Sequence, residues 1–576
     1  MNRRVKKAAS ASSAFVHMRL GFVILGVMAL FVVLLLRVLA LQGFDWYKHE
    51  GLLDRQGDVR TIRTEAIPAN RGMVTDRHGV PLAVSTPVAS IWMNPRHVDM
   101  TDTNLNKVAA LLGYTSRDFK AKIIANKQRY FVYLRRHMAP PDADAVMALK
   151  VAGIYQQQES KRYYPAGEVT ASLLGYTDID GKGQEGVEFI YEQWLQGAPG
   201  KRQVVKDLYQ RTIKLLRRIK EPTQGKDIAL SIDLRVQYMA YRALKKAVSY
   251  HQAKSGSIVM LDVTTGEILA MASQPSFNPN NRTRIDINAV RNRAVTDLFE
   301  PGSTIKPITM VSALKSGQYS SDTVIDTSPG YIEVGGKVLL DPVNYGLMSM
   351  TKILAKSSQV GTTKIALALD QEHIKETFLQ FGLGQFITTG YPGESPGYLP
   401  YDSHWSPLEQ STYSFGHGMS VNTLQLANVY SVLANDGIKR SVSLLKRTDA
   451  PESERMIESR YVTPVNAMMA QVTSIKGTGK KAQTDAYSVA GKTGTSNIVG
   501  DKGYDANRYI ALFAGFAPAK KPRIAAAIVI KDPKGDQYYG GEVASPVFSE
   551  VVSSALRILD VVPDLLVEKS KTLGNS

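Results

Sequence analysis

Three short stretches of the chain carry serine, lysine and threonine in patterns that suit serine acyl transfer. In "EPGSTIKPIT" (300–309), Ser303 stands three positions before Lys306, just after a Pro-Gly pair that sets a helix start. Residues three apart share one helix face, so the Lys306 amine can reach the Ser303 hydroxyl and take its proton. The pattern is weak alone, because Ser312–Lys315 and Ser443–Lys446 also match it. A plain helix start is the alternative.

The two later stretches supply the other groups that this chemistry needs. "AKSSQVGTTKIALAL" (355–369) places Ser357 and the amide of Gln359 before a helical run, although a serine there also suits a helix N-cap. "VAGKTGTS" (489–496) is an apolar strand that enters a turn or a binding edge. A glycine lets a ligand approach such an edge, and lysine with two hydroxyls suits a carboxylate-bearing substrate. The residues concerned are Lys492, Thr493, Gly494 and Thr495.

In order and spacing, the three stretches resemble the motif set of the penicillin-binding serine acyltransferases. The N-terminal half narrows the resemblance. "RGMVTDRHGVPLA" (71–83) resembles the R-G-x-x-x-D-R-x-G-x-x-L-A signature of class B penicillin-binding proteins, and "RYYPAG" (162–167) and "GQEGVE" (183–188) resemble two further motifs of their pedestal domain. The matching residues are Arg71, Gly72, Asp76, Arg77, Gly79, Arg162, Gly167, Gly183 and Glu188. The resemblance covers nearly the whole chain and, with "YYGGEVASPVF" near the end, is strongest to the division-specific members.

This resemblance implies a serine-type D-Ala-D-Ala transpeptidase that cross-links peptidoglycan stem peptides during septal wall synthesis and that β-lactams acylate. No cofactor and no metal are implied. Ser303 would attack the carbonyl between the two D-alanines, with Lys306 as its base and Ser357 as a proton relay. The base must be neutral, so its pKa must fall to about 7 or 8, and burial and the charge of Lys492 would lower it. The remaining implied substrate-binding residues are Gln359, Thr493, Gly494, Thr495, Tyr538, Tyr539 and His417.

Two positions depart from the family pattern. The second motif usually reads Ser-x-Asn, whereas Gln359 adds a methylene that moves the amide about 1.5 Å outward. In "SFGHG" (414–418), Phe415 and His417 stand where relatives often have tyrosines. For His417 two interpretations stay open: contact with the substrate or with a β-lactam side group, or a structural histidine.

The composition and the N-terminus indicate where the chain works. The absence of cysteine excludes disulfides, thiolate catalysis and cysteine metal sites, and the net charge of +18 suits nucleic acid or a membrane surface. Leu20–Leu36 carries no charge and is long enough to cross a bilayer. Basic residues without acids precede it, so the short tail is predicted to stay cytoplasmic and the rest to lie outside the bacterial inner membrane, away from nucleic acid. A cleaved signal peptide would have a shorter apolar region and a small-x-small site.

The pattern predicts two folded domains behind the anchor: tail 1–19, span 20–41, α+β pedestal 43–225, transpeptidase domain 226–565 and C-terminal tail 566–576. In the pedestal, helices are predicted at 142–151 and 186–195, and the basic stretch 201–226 is either a solvated face or a contact for anionic lipid or substrate phosphates. The second domain is predicted to be an antiparallel sheet flanked by helices, the α/β (α+β) penicillin-binding fold. Its predicted elements are a hairpin at 256–273, helices at 305–315, 423–434 and 546–560, and strands at 487–495, 508–517 and 523–531.

Alternative functions remain open at this stage. One is an elongation-type or conditional paralogue transpeptidase, and another is a catalytically idle scaffold of the division complex. A β-lactam sensor is expected to have further membrane spans and a protease motif, and neither is seen in the sequence. A class A β-lactamase needs a deacylating glutamate, for which the sequence has no convincing candidate. Residues 43–225 resemble a pedestal rather than a glycosyltransferase, so the resemblance implies a separate FtsW-type glycosyltransferase and other division-complex membrane proteins as partners.

Overall fold

A computed structural model describes residues 4–39, 62–206, 212–281, 283, 286–500 and 503–567. The predicted end of the span at 41, the start of the pedestal at 43 and the end of the C-terminal tail lie outside the described residues. The first helix is Arg4–Leu39, and its part His17–Leu39 has a mean hydropathy of 2.9 with none of it buried against the rest of the chain. This part is long and apolar enough to cross a membrane, as expected for an anchor.

Residues 62–230 form two sheets. In a three-stranded antiparallel sheet, Gly200–Lys206 pairs with both Ile62–Ile67 and the fully exposed Thr212–Lys220. A five-stranded sheet is centred on Pro81–Met93, which pairs with Val132–Met138, Ile154–Tyr163 and Val74–Thr75, and Val74–Thr75 pairs in parallel with Ile228–Ala229. The helices here are Leu105–Leu111, Ser116–Ala125, Pro140–Ala148, Ala171–Leu174, Gly186–Ile190 and Glu192–Leu195.

The catalytic half, the part of the chain that carries the three predicted serine, lysine and threonine motifs, is built on a five-stranded antiparallel sheet. Its strand order is Ile268–Gln274, Ser255–Asp262, Ile524–Lys531, Gly503–Ala517 and Ala490–Gly500. Side chains alternate between the two faces of a strand. Ile258 and Met260 accordingly enter one hydrophobic core, and Val259 and Leu261 enter the other. Because both faces are covered, the central parts of the inner strands, such as 258–261, 510–517 and 524–530, are apolar. Ala490–Gly500 is left as an edge strand.

Helices cover both faces of this sheet. Leu234–Tyr250 and Ser545–Ile558 pack on one face, and Thr423–Ala434, all of whose residues are buried, packs on the other. The remaining helices are Ile287–Val290, Arg293–Thr296, Lys306–Lys315, Met350–Lys356, Gln359–Leu367, Gln371–Gln380, Pro407–Ser414, Ser459–Val472 and Gly540–Val543. Short two-stranded sheets pair Val324–Asp326 with Leu347–Ser349, Tyr331–Val334 with Lys337–Leu340, and Ile438–Arg440 with Ser453–Arg455.

The architecture confirms the predicted antiparallel sheet flanked by helices, with differences at the element ends. The edge strand begins three residues later than predicted and continues five residues further, to Gly500, because it pairs along its length with Gly503–Ala517. The helix predicted at 186–195 is two short helices, since the backbone of Tyr191 leaves the helical region between them.

Candidate active site

Ser303 lies on a tight turn that contacts the segment around Gly416 and the edge strand Ala490–Gly500. It belongs to the 3₁₀ turn Gly302–Ile305, which continues directly into the helix Lys306–Lys315. Gly302 has a φ of +51°, a conformation that favours glycine, and its N–H donates to the carbonyl of Gly416 at 3.0 Å. The half-buried serine is thereby held at the N-terminal end of a helix, where developing negative charge is favoured.

Two lysine amines converge on the hydroxyl of Ser357. Lys306 Nζ donates to the Ser357 carbonyl at 2.7 Å, to Ser357 Oγ at 3.3 Å and to the Ser358 carbonyl at 3.2 Å. Lys492 Nζ donates to Ser357 Oγ at 3.0 Å and to the Thr493 carbonyl at 3.1 Å. The Lys306 amine bonds Ser357 and Ser358 rather than Ser303 among the described residues, so the Lys306–Ser303 contact stays a prediction. Ser357 therefore connects the first and third motifs.

The backbone around Ser357 has an unusual conformation that a carboxylate supports. Ser357 ends the helix Met350–Lys356 with a φ of 59°, which is rare for a residue other than glycine. Asp341 accepts hydrogen bonds from Ser358 Oγ and from the Gln359 N–H, both at 2.5 Å. These bonds hold the start of the next helix and with it the position of Ser357. Sequence reasoning missed Asp341, since it lies in no motif and acts only through this contact.

Gln359 is the first residue of the helix Gln359–Leu367 and is half-buried. Asp341 accepts from its N–H at 2.5 Å, which holds the backbone at the start of this helix. The longer amide extends from this position next to Ser357.

Burial lowers the pKa of both lysines. The Lys306 side chain is almost completely buried, and burial lowers its pKa to about 7, although the negative charge of Asp341 opposes the shift. Burial and the positive charge of Lys306 hold the pKa of Lys492 well below its ordinary value. Lys306 is consequently a base that is partly neutral near pH 7.

The edge strand lies directly against the turn of Ser303. A Cβ added to Gly494 would approach Thr304 Cγ2 to 2.9 Å and the Pro301 carbonyl to 3.0 Å. This glycine therefore allows close packing of the strand on the nucleophile's turn, where the sequence analysis had expected close approach of a ligand. Thr493 Oγ1 shares a 2.9 Å hydrogen bond with Thr478, and Thr495 Oγ1 accepts from the Gly540 N–H at 3.0 Å.

Aromatic side chains border this edge strand. Tyr509, Tyr538 and Tyr539 stack in series, with ring centroids 4.0 Å and 4.4 Å apart, and Tyr539 is 57% exposed just before Gly540. The half-buried ring of His417 lies 5.3 Å from that of Phe415, next to Gly416, whose carbonyl accepts from the Gly302 N–H. The predicted substrate-binding side chains thus lie on the edge strand, just before Gly540 and on the segment that contacts the Ser303 turn.

The pedestal motifs meet around one buried carboxylate. Glu188 accepts from Arg71 Nε at 2.7 Å and from Arg162 Nε at 2.6 Å, and Arg162 also donates to the Gly72 carbonyl at 2.8 Å. A Cβ on Gly183 would lie 2.0 Å from the Glu188 carbonyl oxygen, so only glycine fits there. Three motifs that are far apart in sequence therefore form a single packed cluster.

The other pedestal motif residues shape turns and join the two halves. Asp76 accepts from the N–H groups of His78 and Val80, which closes the turn that contains Gly79 at a φ of +84°. Arg77 forms a 2.8 Å ion pair with Glu267, which lies in the turn of the hairpin that starts the catalytic sheet. Gly167 also has a positive φ, of +53°. These residues contact one another or the hairpin turn around Glu267 in the catalytic half, and not the turn of Ser303.

Comparisons with known proteins assign both folded parts of the chain to known domain families. Residues 256–553 match the penicillin binding protein transpeptidase domain, and residues 66–230 match the penicillin-binding protein dimerisation domain. The chain is 42% identical to peptidoglycan D,D-transpeptidase FtsI of Escherichia coli, over 90% of this chain and 89% of that protein. It is 41% identical to the probable peptidoglycan D,D-transpeptidase PbpC of Pseudomonas aeruginosa, over 92% and 93%.

A solved structure has the same architecture. Penicillin-binding protein 3 of Mycobacterium tuberculosis, complexed with aztreonam, matches with a TM-score of 0.67 and 25% identity over 87% of this chain and 98% of that one. The convergence of Lys306, Lys492 and Ser357 beside Ser303 suits serine acyl transfer, and the relatives catalyse a transpeptidation. The chain is therefore a member of the class B penicillin-binding proteins, the peptidoglycan D,D-transpeptidases.

Proposed function

We propose that this transpeptidase cross-links stem peptides at the division septum, with Ser303 as the nucleophile. The observation that carries the proposal is the bridging of Lys306 and Lys492 by the Ser357 hydroxyl next to the Ser303 turn. Ser303 attacks the carbonyl between the two D-alanines of a donor stem peptide. The terminal D-alanine leaves, and an acyl ester remains on the serine until an amine of a neighbouring stem peptide takes the acyl group.

Lys306 and Ser357 are placed to carry the protons that must leave the Ser303 hydroxyl and reach the leaving amine. Since the pKa of Lys306 is about 7, roughly half of this amine is neutral at pH 7 and can accept the Ser303 proton. Ser357, which contacts both amines, passes a proton towards the leaving amine. Thr493 and Thr495 hold the substrate carboxylate, and the N–H groups of Ser303 and Thr495 stabilise the developing oxyanion, where one donor is worth about 10²–10³ in rate.

The division role is supported by 42% identity to FtsI over most of both chains. A transpeptidase paralogue used under special conditions stays the second candidate, because the chain is about equally identical, at 41%, to a probable D,D-transpeptidase that carries a different name, PbpC. Depletion of the protein separates the candidates. Filamentous cells support the division role, round cells indicate side-wall elongation, and unchanged cells in standard medium indicate the conditional paralogue.

We infer that the apolar helix anchors the chain in the inner membrane, with the N-terminus in the cytoplasm and residues after 42 in the periplasm. Residues 43–225 then act as a pedestal below the transpeptidase domain, 226–565. An FtsW-type glycosyltransferase and other membrane proteins of the division complex are the partners, because residues 66–230 match a dimerisation domain and residues 256–553 a transpeptidase domain, and neither of these polymerises glycan. Protease accessibility of the catalytic half in spheroplasts, with protection in intact cells, tests the orientation.

Labelling with a fluorescent penicillin, followed by mass spectrometry, tests the nucleophile. We expect one acyl group, on Ser303, and none on the Ser303→Ala variant. Ser312→Ala is the matched control, because Ser312 also precedes a lysine by three positions and its hydroxyl is buried without a partner among the described residues. An unlabelled wild type would instead support the catalytically idle scaffold.

A further inference from the structure

Two polar atoms beside the nucleophile are buried without a partner in the described part of the chain. They are Glu300 Oε2 and His417 Nδ1. Buried polar atoms are almost always hydrogen-bonded, so two orphans in one place call for an explanation. Glu300 is itself well fixed: its Oε1 accepts from the Gly418 N–H and from the Tyr504 hydroxyl, both at 2.8 Å.

His417 is held beside the Ser303 turn by its neighbours. The preceding Gly416 accepts from the Gly302 N–H, and a Cβ on Gly416 would lie 2.2 Å from the Gly302 carbonyl oxygen. The ring of His417 lies 6.3 Å from that of Tyr504. The titratable groups that face it are Glu300 before the nucleophile, Lys306 on the helix and Tyr504 on the neighbouring strand.

We propose that Glu300 and His417 form a carboxylate–imidazole pair that deprotonates the acceptor amine in the second half of the reaction. His417 is the catalytic base, and Glu300 is the positioning residue. A single Nδ1–H···Oε2 hydrogen bond would satisfy both orphan atoms and leave Nε2 as the proton acceptor. This inference rests on the Ser303 acyl-enzyme of the proposed function.

The step balances as follows. The acceptor arrives as an ammonium ion, R–NH₃⁺, and transfers one proton to His417 Nε2. The freed lone pair attacks the ester carbonyl, the new C–N bond forms, and the C–Oγ bond of Ser303 breaks. The serine oxygen regains a proton from the attacking nitrogen, which becomes the amide nitrogen, and the imidazolium returns its proton to solvent. No other reactant is needed.

The electrostatics of the site suit this role. Burial, together with the charge of Lys306, lowers the pKa of His417 below its usual 6.5, although Glu300 opposes the shift. The ring is therefore neutral near pH 7 and able to accept a proton. Burial and the neighbouring Glu300 raise the pKa of the Tyr504 phenol, which stays protonated and keeps donating to Glu300.

The test separates the two half-reactions on the full-length protein. A thioester donor peptide acylates Ser303, and amide formation with an added stem-peptide amine is measured at saturating donor. We expect His417→Gln to lower amide formation about 10²-fold, at least tenfold more than it lowers the acylation rate. The wild-type rate of amide formation should rise with pH as the imidazole of His417 loses its proton, and the variant should lack this rise. His404→Gln, an exposed histidine hydrogen-bonded to Gln371, is the control and should change neither step.

Glu300→Gln provides a second variant should His417→Gln fail to fold. A glutamine amide facing Nδ1 favours the tautomer with the proton on Nε2, so the base is lost and amide formation should again fall at least tenfold more than acylation. An equal loss in both steps, or unchanged amide formation, in the variant that folds overturns the pair. A wild type that is not acylated at Ser303 overturns the proposed function instead, so the two failures are distinguishable.

Discussion

Two clusters of buried basic side chains in the described residues differ in whether a carboxylate neutralises them. In the pedestal, Arg71 and Arg162 are both bonded to Glu188, whose side chain is fully buried. In the cleft, Lys306 and Lys492 are almost completely buried, yet neither contacts a carboxylate in the described residues, and both donate to hydroxyl and carbonyl oxygens. One cluster is neutralised by a counter-ion, and the other is not.

This difference separates a structural use of buried charge from a chemical one. Arginine stays protonated in a protein and matches a carboxylate geometrically, so a buried arginine needs its partner permanently. Lysine loses its proton when it is buried without a partner, which turns it into a base. Removing a cation from water costs free energy in both places. The carboxylate of Glu188 offsets that cost in the pedestal, whereas no carboxylate contact offsets it for Lys306 and Lys492 in the described residues.

Lys306→Met should show the largest effect. The loss of the base should lower the rate of acylation by a β-lactam about 10⁴-fold. The free energy of unfolding should nevertheless increase by about 1–4 kcal/mol, because an apolar chain of similar volume replaces a desolvated amine. Acylation kinetics and chemical denaturation of the same preparation measure both effects. Lys315→Met, at the partly exposed end of the same helix, is the control. A variant that is both inactive and less stable would contradict the comparison.

Glu188→Gln should have the opposite sign in stability. The substitution leaves Arg71 and Arg162 without the carboxylate that both contact, and we expect a loss of about 3–5 kcal/mol in the free energy of unfolding. Chemical denaturation of the purified chain measures it. Glu221→Gln removes an exposed pair with Arg218 and should change stability by less than about 1 kcal/mol. Equal effects of the two substitutions would show that burial is not decisive.

The pH dependence of acylation tests the cleft directly. The pKa of Lys306 is lowered to about 7, so the amine is protonated below that pH and neutral above it. The acylation rate should therefore rise about tenfold for each pH unit below 7 and level off above it. Stopped labelling with a fluorescent penicillin between pH 5 and 9 measures the profile. A rate that still rises about tenfold per pH unit between pH 7 and 9, with no plateau, would mean that the lysine keeps its ordinary pKa.

Sequence patterns predicted the parts of this comparison unequally. Ser303, Ser357 and Lys492 were selected as motif residues, and the sheet and helices that position them were predicted from their apolar periodicity. The sequence did not predict that Glu188 joins Arg71 and Arg162, since contacts between residues 117 and 26 positions apart leave no local signal. It also missed Asp341, whose role exists only where a loop meets the start of a helix.

Asp341→Asn should produce the smallest effect, and it tests how the charge of Asp341 acts on the pKa of Lys306. Asp341 bonds Ser358 Oγ and the Gln359 N–H, and an amide can replace only part of that, so we expect a loss of about 1–2 kcal/mol in stability. Its negative charge raises the pKa of Lys306 against the effect of burial. Removing the charge should therefore move the rise in the acylation profile to a lower pH, whereas the exposed Asp326→Asn should leave it in place. A shift to higher pH would mean that Asp341 acts on Lys306 through the position of Ser357 more than through its charge.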